Sequence, residues 1–236
     1  MKSMFTDFLL CGGVLGAIIA ATLALVGLVL SPWVQMVFGD YYVIVNVLLF
    51  LFIYGVLSGL VLQLMLKLHP LPRGEFTMDS PVFTYWKLLT VVHMLAQEVM
   101  TPFTSVFTKP LIVRLFGAKV GANVALGGTI GEPFMVTIGD GAVLGFGSVV
   151  AGSVIADGKI TLGDIRVGNG ATLGVYAVAM GGIEVGDNAK VIGGSMVIPG
   201  SKIPAGEIWR GNPARKWSAI AAPAKTPDSA DRKSVV

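Results

Sequence analysis

Histidine is nearly absent from this chain of 236 residues: His69 and His93 are the only two, and none follows position 93. Neither has a second His, Cys or carboxylate at ligand spacing, so no metal ligand is assigned. Cysteine is reduced to Cys11, which excludes an intramolecular disulfide and fits a reducing compartment. Charge is scarce as well: 17 basic and 14 acidic side chains make 13% of the chain and a formal net charge of +3. So small an excess, with little aromatic interleaving of the basic residues, argues against nucleic acid as a partner. Anionic headgroups or ligand phosphates suit it better.

Two runs lack charge altogether, residues 8–30 and 42–66. Each exceeds the roughly 20 residues that cross a bilayer core. A secretory signal peptide has a shorter apolar stretch, and the second run follows at once, so a retained helical hairpin is expected. The link, residues 31–41, holds Pro32 and Gly39, with Trp33, Tyr41 and Tyr42 suited to the interface. Lys2 precedes the first run, Lys67, Arg73 and Lys87 follow the second, and the link has no Lys or Arg. The positive-inside rule therefore puts both termini in the cytoplasm. The expected location is the cell inner membrane, multi-pass, with membrane lipid as a partner.

Most of the C-terminal half repeats every six residues. Aliphatic positions run Val120, Leu126, then Ile138, Leu144, Val150, and resume at Val167, Leu173, Ala179, Val185, Val191, Val197, Ile203. Gly follows many of them, and a small or β-branched residue comes four places later, as at Ala142, Ser148, Ala171 and Ala189. Neither an α-helix nor a half-buried strand has this period. Hexapeptides signal a parallel β-helix, a triangular prism whose three faces make a turn of eighteen residues. Val120 should then stack under Ile138, and Val167 under Val185 under Ile203.

Two irregularities break the series. Val150 to Val167 spans seventeen residues, one short of three hexads, so residues 155–164 read as a loop pushed out of a coil. At Glu132 the inward aliphatic is replaced, and Pro133 takes the glycine slot. Function in repeat proteins tends to sit on such interruptions. Between membrane and coil, Ser80 and Pro81 read as a helix start, followed by a mostly apolar helix through Val99. That helix either lies in the headgroup layer or covers the solenoid end. A second short helix leads into the first coil. Residues 209–220 are expected to leave the prism, and 223–236 to be disordered.

The hexads, ending in Ile208-Trp209-Arg210-Gly211-Asn212-Pro213-Ala214-Arg215-Lys216, resemble bacterial hexapeptide-repeat transferases. That resemblance implies a left-handed β-helix, a homotrimer, and an acyl group taken from coenzyme A. The segments Leu115-Phe116-Gly117-Ala118-Lys119-Val120-Gly121, Val136-Thr137-Ile138-Gly139-Asp140-Gly141 and Ile203-Pro204-Ala205-Gly206 are similar to the membrane-embedded C-terminal modules of poly-lysine-synthetase-type nonribosomal peptide synthetases. This implies a peptide-synthetase or carrier-protein partner. No cofactor is permanently bound by this reading; coenzyme A or acyl-phosphopantetheine is a co-substrate. The chain departs from the transferase pattern in one respect. Those enzymes commonly use a histidine in or beside a coil as general base, and here the repeats contain none. The related carbonic-anhydrase-like β-helices need several histidines for their metal, so the expected metal is none.

The candidate catalytic residues are Glu132, Ser153 and Asp157. Glu132 serves as a base if it lines a cleft, or faces water if its corner bulges. Asp157 and Asp164 flank the extruded loop and either contact a substrate amine or form turns. Asp140 and Asp187 read as turn formers. His93 reads as a packed or interfacial histidine. The candidate cofactor-binding residues are Lys202, Arg210, Asn212 and Arg215, a basic exit that by resemblance lies near the phosphate or pantetheine end of coenzyme A, or else a solvated face.

The architecture expected is a transmembrane α-helical hairpin (1–70), juxtamembrane amphipathic helices (71–118), an all-β left-handed parallel β-helix (119–208) and an exit segment with a disordered tail (209–236). Two functions fit it. One is a membrane-anchored acyltransferase moving an acyl group to an amine or hydroxyl at the cytoplasmic face. The other is a non-catalytic scaffold or partner subunit of a membrane assembly.

Overall fold

A computed structural model describes residues 2–217. The expected disordered tail, 223–236, lies outside the described residues, as does the end of the 209–220 exit. Helix α1 (Lys2–Ala24) continues through a π-type turn, Leu25–Leu30, into α2 (Ser31–Phe38). The chain reverses at Gly39–Tyr41, and α3 (Tyr42–Leu68) returns along α1 and α2, where Asn46 Nδ2 donates to Ser31 Oγ at 2.8 Å. The run Phe5–Leu68 is long and apolar enough to cross a membrane. Its outer surface is bare hydrocarbon, Phe8 being 75% exposed.

The link expected at 31–41 is largely helix. Pro32 lacks the N–H that a helix interior needs and crowds the preceding turn. The widened turn before it absorbs this, with the Ser31 N–H reaching back to the Val26 carbonyl. Reversal is confined to Gly39, whose φ is 53°.

Strand β1 (Gly74–Thr77) and α4 (Pro81–Val99) follow. Ser80 caps α4 through its Oγ, which accepts from Phe83 N at 3.2 Å. Helix α4 buries Leu89, Val92 and Ala96 in one cluster with Ile18 and Leu62 of the hairpin, with Phe116 just before the first coil, and with Met135 and Ile160 of the β-domain. It is therefore a wedge between the two halves. Tyr85 Oη lies 2.8 Å from the His69 carbonyl and 2.9 Å from that of Met65, fastening α4 to the end of α3.

Helix α5 (Lys109–Leu115) closes the open end of the solenoid, and Val113 joins the prism core. The first coil would otherwise expose a row of unpaired carbonyls. Arg114 Nη2 donates to the carbonyls of Val120 at 2.6 Å and Gly121 at 2.8 Å, and Lys109 Nζ to that of Gly128 at 2.7 Å.

The first coil comprises β2 (Lys119–Val120), β3 (Ala125–Leu126) and β4 (Thr129–Ile130). The second comprises β5 (Val136–Ile138), β6 (Val143–Leu144) and β7 (Val149–Ala151). A hairpin, β8 (Ser153–Ala156) and β9 (Lys159–Leu162), interrupts. The third coil is β10 (Ile165–Val167), β11 (Thr172–Leu173) and β12 (Val178–Met180); the fourth is β13 (Glu184–Val185), β14 (Lys190–Val191) and β15 (Met196–Val197). A fifth begins with β16 (Lys202–Ile203) and β17 (Ile208–Arg210), and β18 (Arg215–Lys216) folds back antiparallel on β17. The coil strands stack into three parallel sheets, the faces of a left-handed β-helix.

Val120, Ile138, Val167, Val185 and Ile203 stack as a single file of inward residues. The glycine after each inward aliphatic is required by close approach: a Cβ on Gly145 would meet Val175 N at 2.6 Å. Asp140 and Asp187 are corner residues, as read from sequence. Asp140 Oδ1 accepts from Ala122 N at 2.7 Å, Asn169 Oδ1 from Asp140 N at 2.8 Å, and Asp187 Oδ1 from Asn169 N at 2.7 Å.

Three expectations change. The segment expected to be pushed out of a coil is so, but it is larger than a one-residue slip suggests, since Ile138 pairs with Val167 after 29 residues, 11 more than the 18 that separate Val167 and Val185. The inserted residues are an ordered hairpin whose β9 pairs with β1, in the order β1-β9-β8. Trp209 does not leave the prism, because it pairs in parallel with Val191.

Candidate functional site

The irregular corner and the insertion meet. Ile130 stacks beneath Val150, so the first coil fills its third inward position two residues earlier than the hexads require. Glu132 is displaced from the prism core into the junction between the first coil, the hairpin and α4. It is 3% exposed, so it does not face water. Its Oε2 accepts from Gly152 N at 3.0 Å. Its Oε1 accepts from Ser153 Oγ at 2.5 Å and from Trp86 Nε1 at 3.3 Å. A buried carboxylate needs such donors to offset its lost hydration.

The structure thus brings together Glu132 and Ser153, and it adds Trp86 and the Gly152 amide. The sequence offers one weak signal for Trp86: a buried indole N–H generally needs an acceptor. Asp157 is not part of this group. It sits at the hairpin tip with φ 50° beside Gly158, at the far end of β8 from Ser153. Four residues of extended strand place the two about 13 Å apart. Asp157 is therefore a turn residue. Asp164 is engaged by Arg73 at 2.6 Å, which ties the hairpin's base to the segment that follows α3.

His93 of α4 packs behind the same corner, edge-on to Phe116 with ring centroids 5.0 Å apart. Burial pushes its pKa down to about 4, against a smaller opposing effect of a backbone hydrogen bond with Gly131. It is a neutral core histidine at ordinary pH. Among the described residues no cluster of three or more His, Cys, Asp or Glu could hold a metal ion.

The basic exit divides. Arg210 and Arg215 are paired across β17 and β18, and Asn212 lies in the turn between those strands. Arg210 also lies over the Trp217 ring, 5.7 Å from its centroid. Lys202 is on another face, stacked on Glu184 with 4.0 Å between the charged atoms. It does not join the arginines. Lys216 is held by Glu207 at 2.5 Å, and that bond, with one from Trp209, keeps the Glu207 carboxyl below its ordinary range.

No protein-family model matches the chain. A stretch of 119 residues, 50% of this chain, is 30% identical to the delta-poly-L-ornithine synthetase of Acinetobacter baumannii. A stretch of 93 residues, 39% of the chain, is 36% identical to the mitochondrial gamma carbonic anhydrase 2 of Arabidopsis thaliana. The chain spans 9% and 29% of the lengths of those two proteins. Among solved structures, a galactoside acetyltransferase in complex with coenzyme A superimposes over 66% of this chain and 90% of its own, with 19% identity and a TM-score of 0.48. The fold is a left-handed β-helix built of hexapeptide repeats, as the resemblance implied. The likeness to a poly-ornithine synthetase accords with the second resemblance read from the sequence.

Proposed function

We propose that the protein is a membrane-anchored acyltransferase. It takes an acyl group from coenzyme A or a phosphopantetheine arm and passes it to an amine or hydroxyl at the cytoplasmic face of the inner membrane. The observation that carries this reading is the Glu132–Ser153 contact at the irregular corner. Glu132 Oε1 accepts from the hydroxyl of Ser153, a half-buried residue. An acceptor's N–H or O–H that replaced it would meet a carboxylate positioned to take its proton. Arg210 and Arg215, adjacent on two strands, suit the phosphates of a nucleotide donor. A carrier protein or a separately encoded peptide synthetase fits the same donor chemistry. The wall between the second and third faces is apolar, with Phe146 68% and Tyr176 61% exposed and packed edge to face. That surface supports a homotrimer.

The experiment is a melting curve with coenzyme A. Coenzyme A at 100 times its dissociation constant stabilises by about 2.7 kcal/mol. The rise should vanish when Arg210 and Arg215 are both changed to Glu, and persist in Lys202→Glu. No rise at millimolar ligand refutes the donor assignment.

A second reading, a non-catalytic scaffold, is favoured by the burial of Glu132, which ties coil, hairpin and α4 together. Acyl transfer to any amine or hydroxyl by the purified protein, lost in Glu132→Gln with folding retained, excludes it.

A further inference from the structure

A groove of about 910 Å³ runs between α1 and α4. Volumes of roughly 300–1,000 Å³ are typical of pockets that enclose small ligands. Phe5, Phe8 and Leu15 form one wall, Trp86 and Val91 the other. Its polar members are Asp7, Lys87 and Thr90. Asp7 and Lys87 pair with each other, and the Lys87 ammonium also stands 4.6 Å over the Phe83 ring. The groove therefore offers no net charge to an occupant. Thr90 Oγ1 is buried there without a partner.

Three observations identify what fills it. The mouth is continuous with the bare hydrocarbon of α1, in the run long and apolar enough to cross a membrane. The medium beside it is then lipid, a step that rests on the membrane anchoring proposed above. The neutralised Asp7–Lys87 pair disfavours an anionic headgroup. And Trp86, which forms one wall, donates its indole N–H to Glu132, so the groove is one indole away from the Glu132–Ser153 contact. We infer that the groove holds an acyl chain of a zwitterionic or uncharged membrane lipid. A lipid-anchored acceptor is then the substrate class that this fold presents to the corner.

The test uses the full chain in detergent with Trp33, Trp209 and Trp217 changed to Phe, leaving Trp86 as the sole indole. Phosphatidylcholine with brominated acyl chains is titrated in, and Trp86 emission is followed. Quenching should saturate at one lipid per chain. Gly12 lines the groove, and nothing lies within 4 Å of where its Cβ would be, so the side chain of Gly12→Phe starts into open space and takes up groove volume. That variant should weaken the quenching at least tenfold. Quenching that rises linearly with lipid in both proteins overturns the site. A tenfold preference for brominated phosphatidylglycerol overturns the uncharged headgroup. Should Gly12→Phe fail to fold, the parent chain supplies the same answer through Cys11, its sole cysteine and also in the groove. Saturating phosphatidylcholine should slow Cys11 alkylation by a maleimide about tenfold, and no slowing refutes the site. Coenzyme A stabilisation is read separately. Its absence beside saturable quenching removes the transferase and leaves the groove, while the reverse removes only the groove.

Discussion

Replacing Glu132 by Ala tests whether a displaced carboxylate holds the two halves of the molecule together. The side chain accepts from Gly152 N, Ser153 Oγ and Trp86 Nε1, and no cation partners it among the described residues. Truncation leaves those donors facing a cavity. An unsatisfied buried donor costs about 1–3 kcal/mol. Gly152 N has no route to water and takes the upper part of that range, whereas Ser153 and Trp86 are half-buried and rehydrate in part. The sum is about 3–5 kcal/mol, or roughly 10 °C in melting temperature for a chain of this size. Hydrogen exchange locates the loss. The β8–β9 amides should exchange about 100- to 4,000-fold faster, because each factor of ten corresponds to ~1.4 kcal/mol of opening free energy. Amides of β13 and β14, in the fourth coil, should change far less. Glu132→Gln keeps an acceptor for Ser153 and Trp86 but turns an amide toward Gly152 N–H, so about 1–2 kcal/mol is expected. If Glu132→Ala melts within a degree of the parent and the hairpin amides stay protected, the carboxylate is not the fastening described here.

Two further tests address the core. Val185 is 1% exposed in the middle of the inward file, so Val185→Asp buries an unpaired charge and should cost more than about 4 kcal/mol, read as loss of cooperative unfolding. His93 has an ordinary value of 6.5 and is held at about 4 in the folded protein. Between those values the unfolded chain binds a proton that the folded chain refuses, so this stability is complete above pH 6.5 and is lost as pH falls toward 4. From pH 7 to 5 the parent should lose about 2 kcal/mol more than His93→Leu, measured by denaturant midpoints at both pH values. Equal losses in the two proteins contradict the buried neutral imidazole.

Much of the prism was legible because its signal is local. An inward aliphatic, the glycine after it and a small residue four places on each meet their own equivalents one coil away, so the pattern reports packing directly. The same locality hid the exceptions. Ile130 carries the inward position in the first coil, and a count by sixes puts Glu132 there instead. Counting by sixes located the extruded segment but not its size, because seventeen lies close to three hexads while the insertion adds 11 residues. The candidate residues divide on the same ground. Arg210 and Arg215 are five apart, and the hairpin turn joins them. Lys202 is only eight residues before Arg210, yet a prism corner sets it on a different face. Asp157 and Ser153 are four apart, and extended strand keeps them separate.

By itself the sequence determined the three-sided coil, its axis of stacked aliphatic residues and the two uncharged runs, because hexad period and hydrophobic length are set by neighbours in the chain. Tertiary structure alone decided that β1 adds to the inserted hairpin, that α4 wedges between the helices and the prism, and that Glu132 is buried where Trp86 and Gly152 can satisfy it. Such contacts join residues 20 to 91 positions apart, as with Gly152 and Glu132 or Arg73 and Asp164. Their energy comes from desolvation and from the pairing of buried polar groups, which no period in the sequence records.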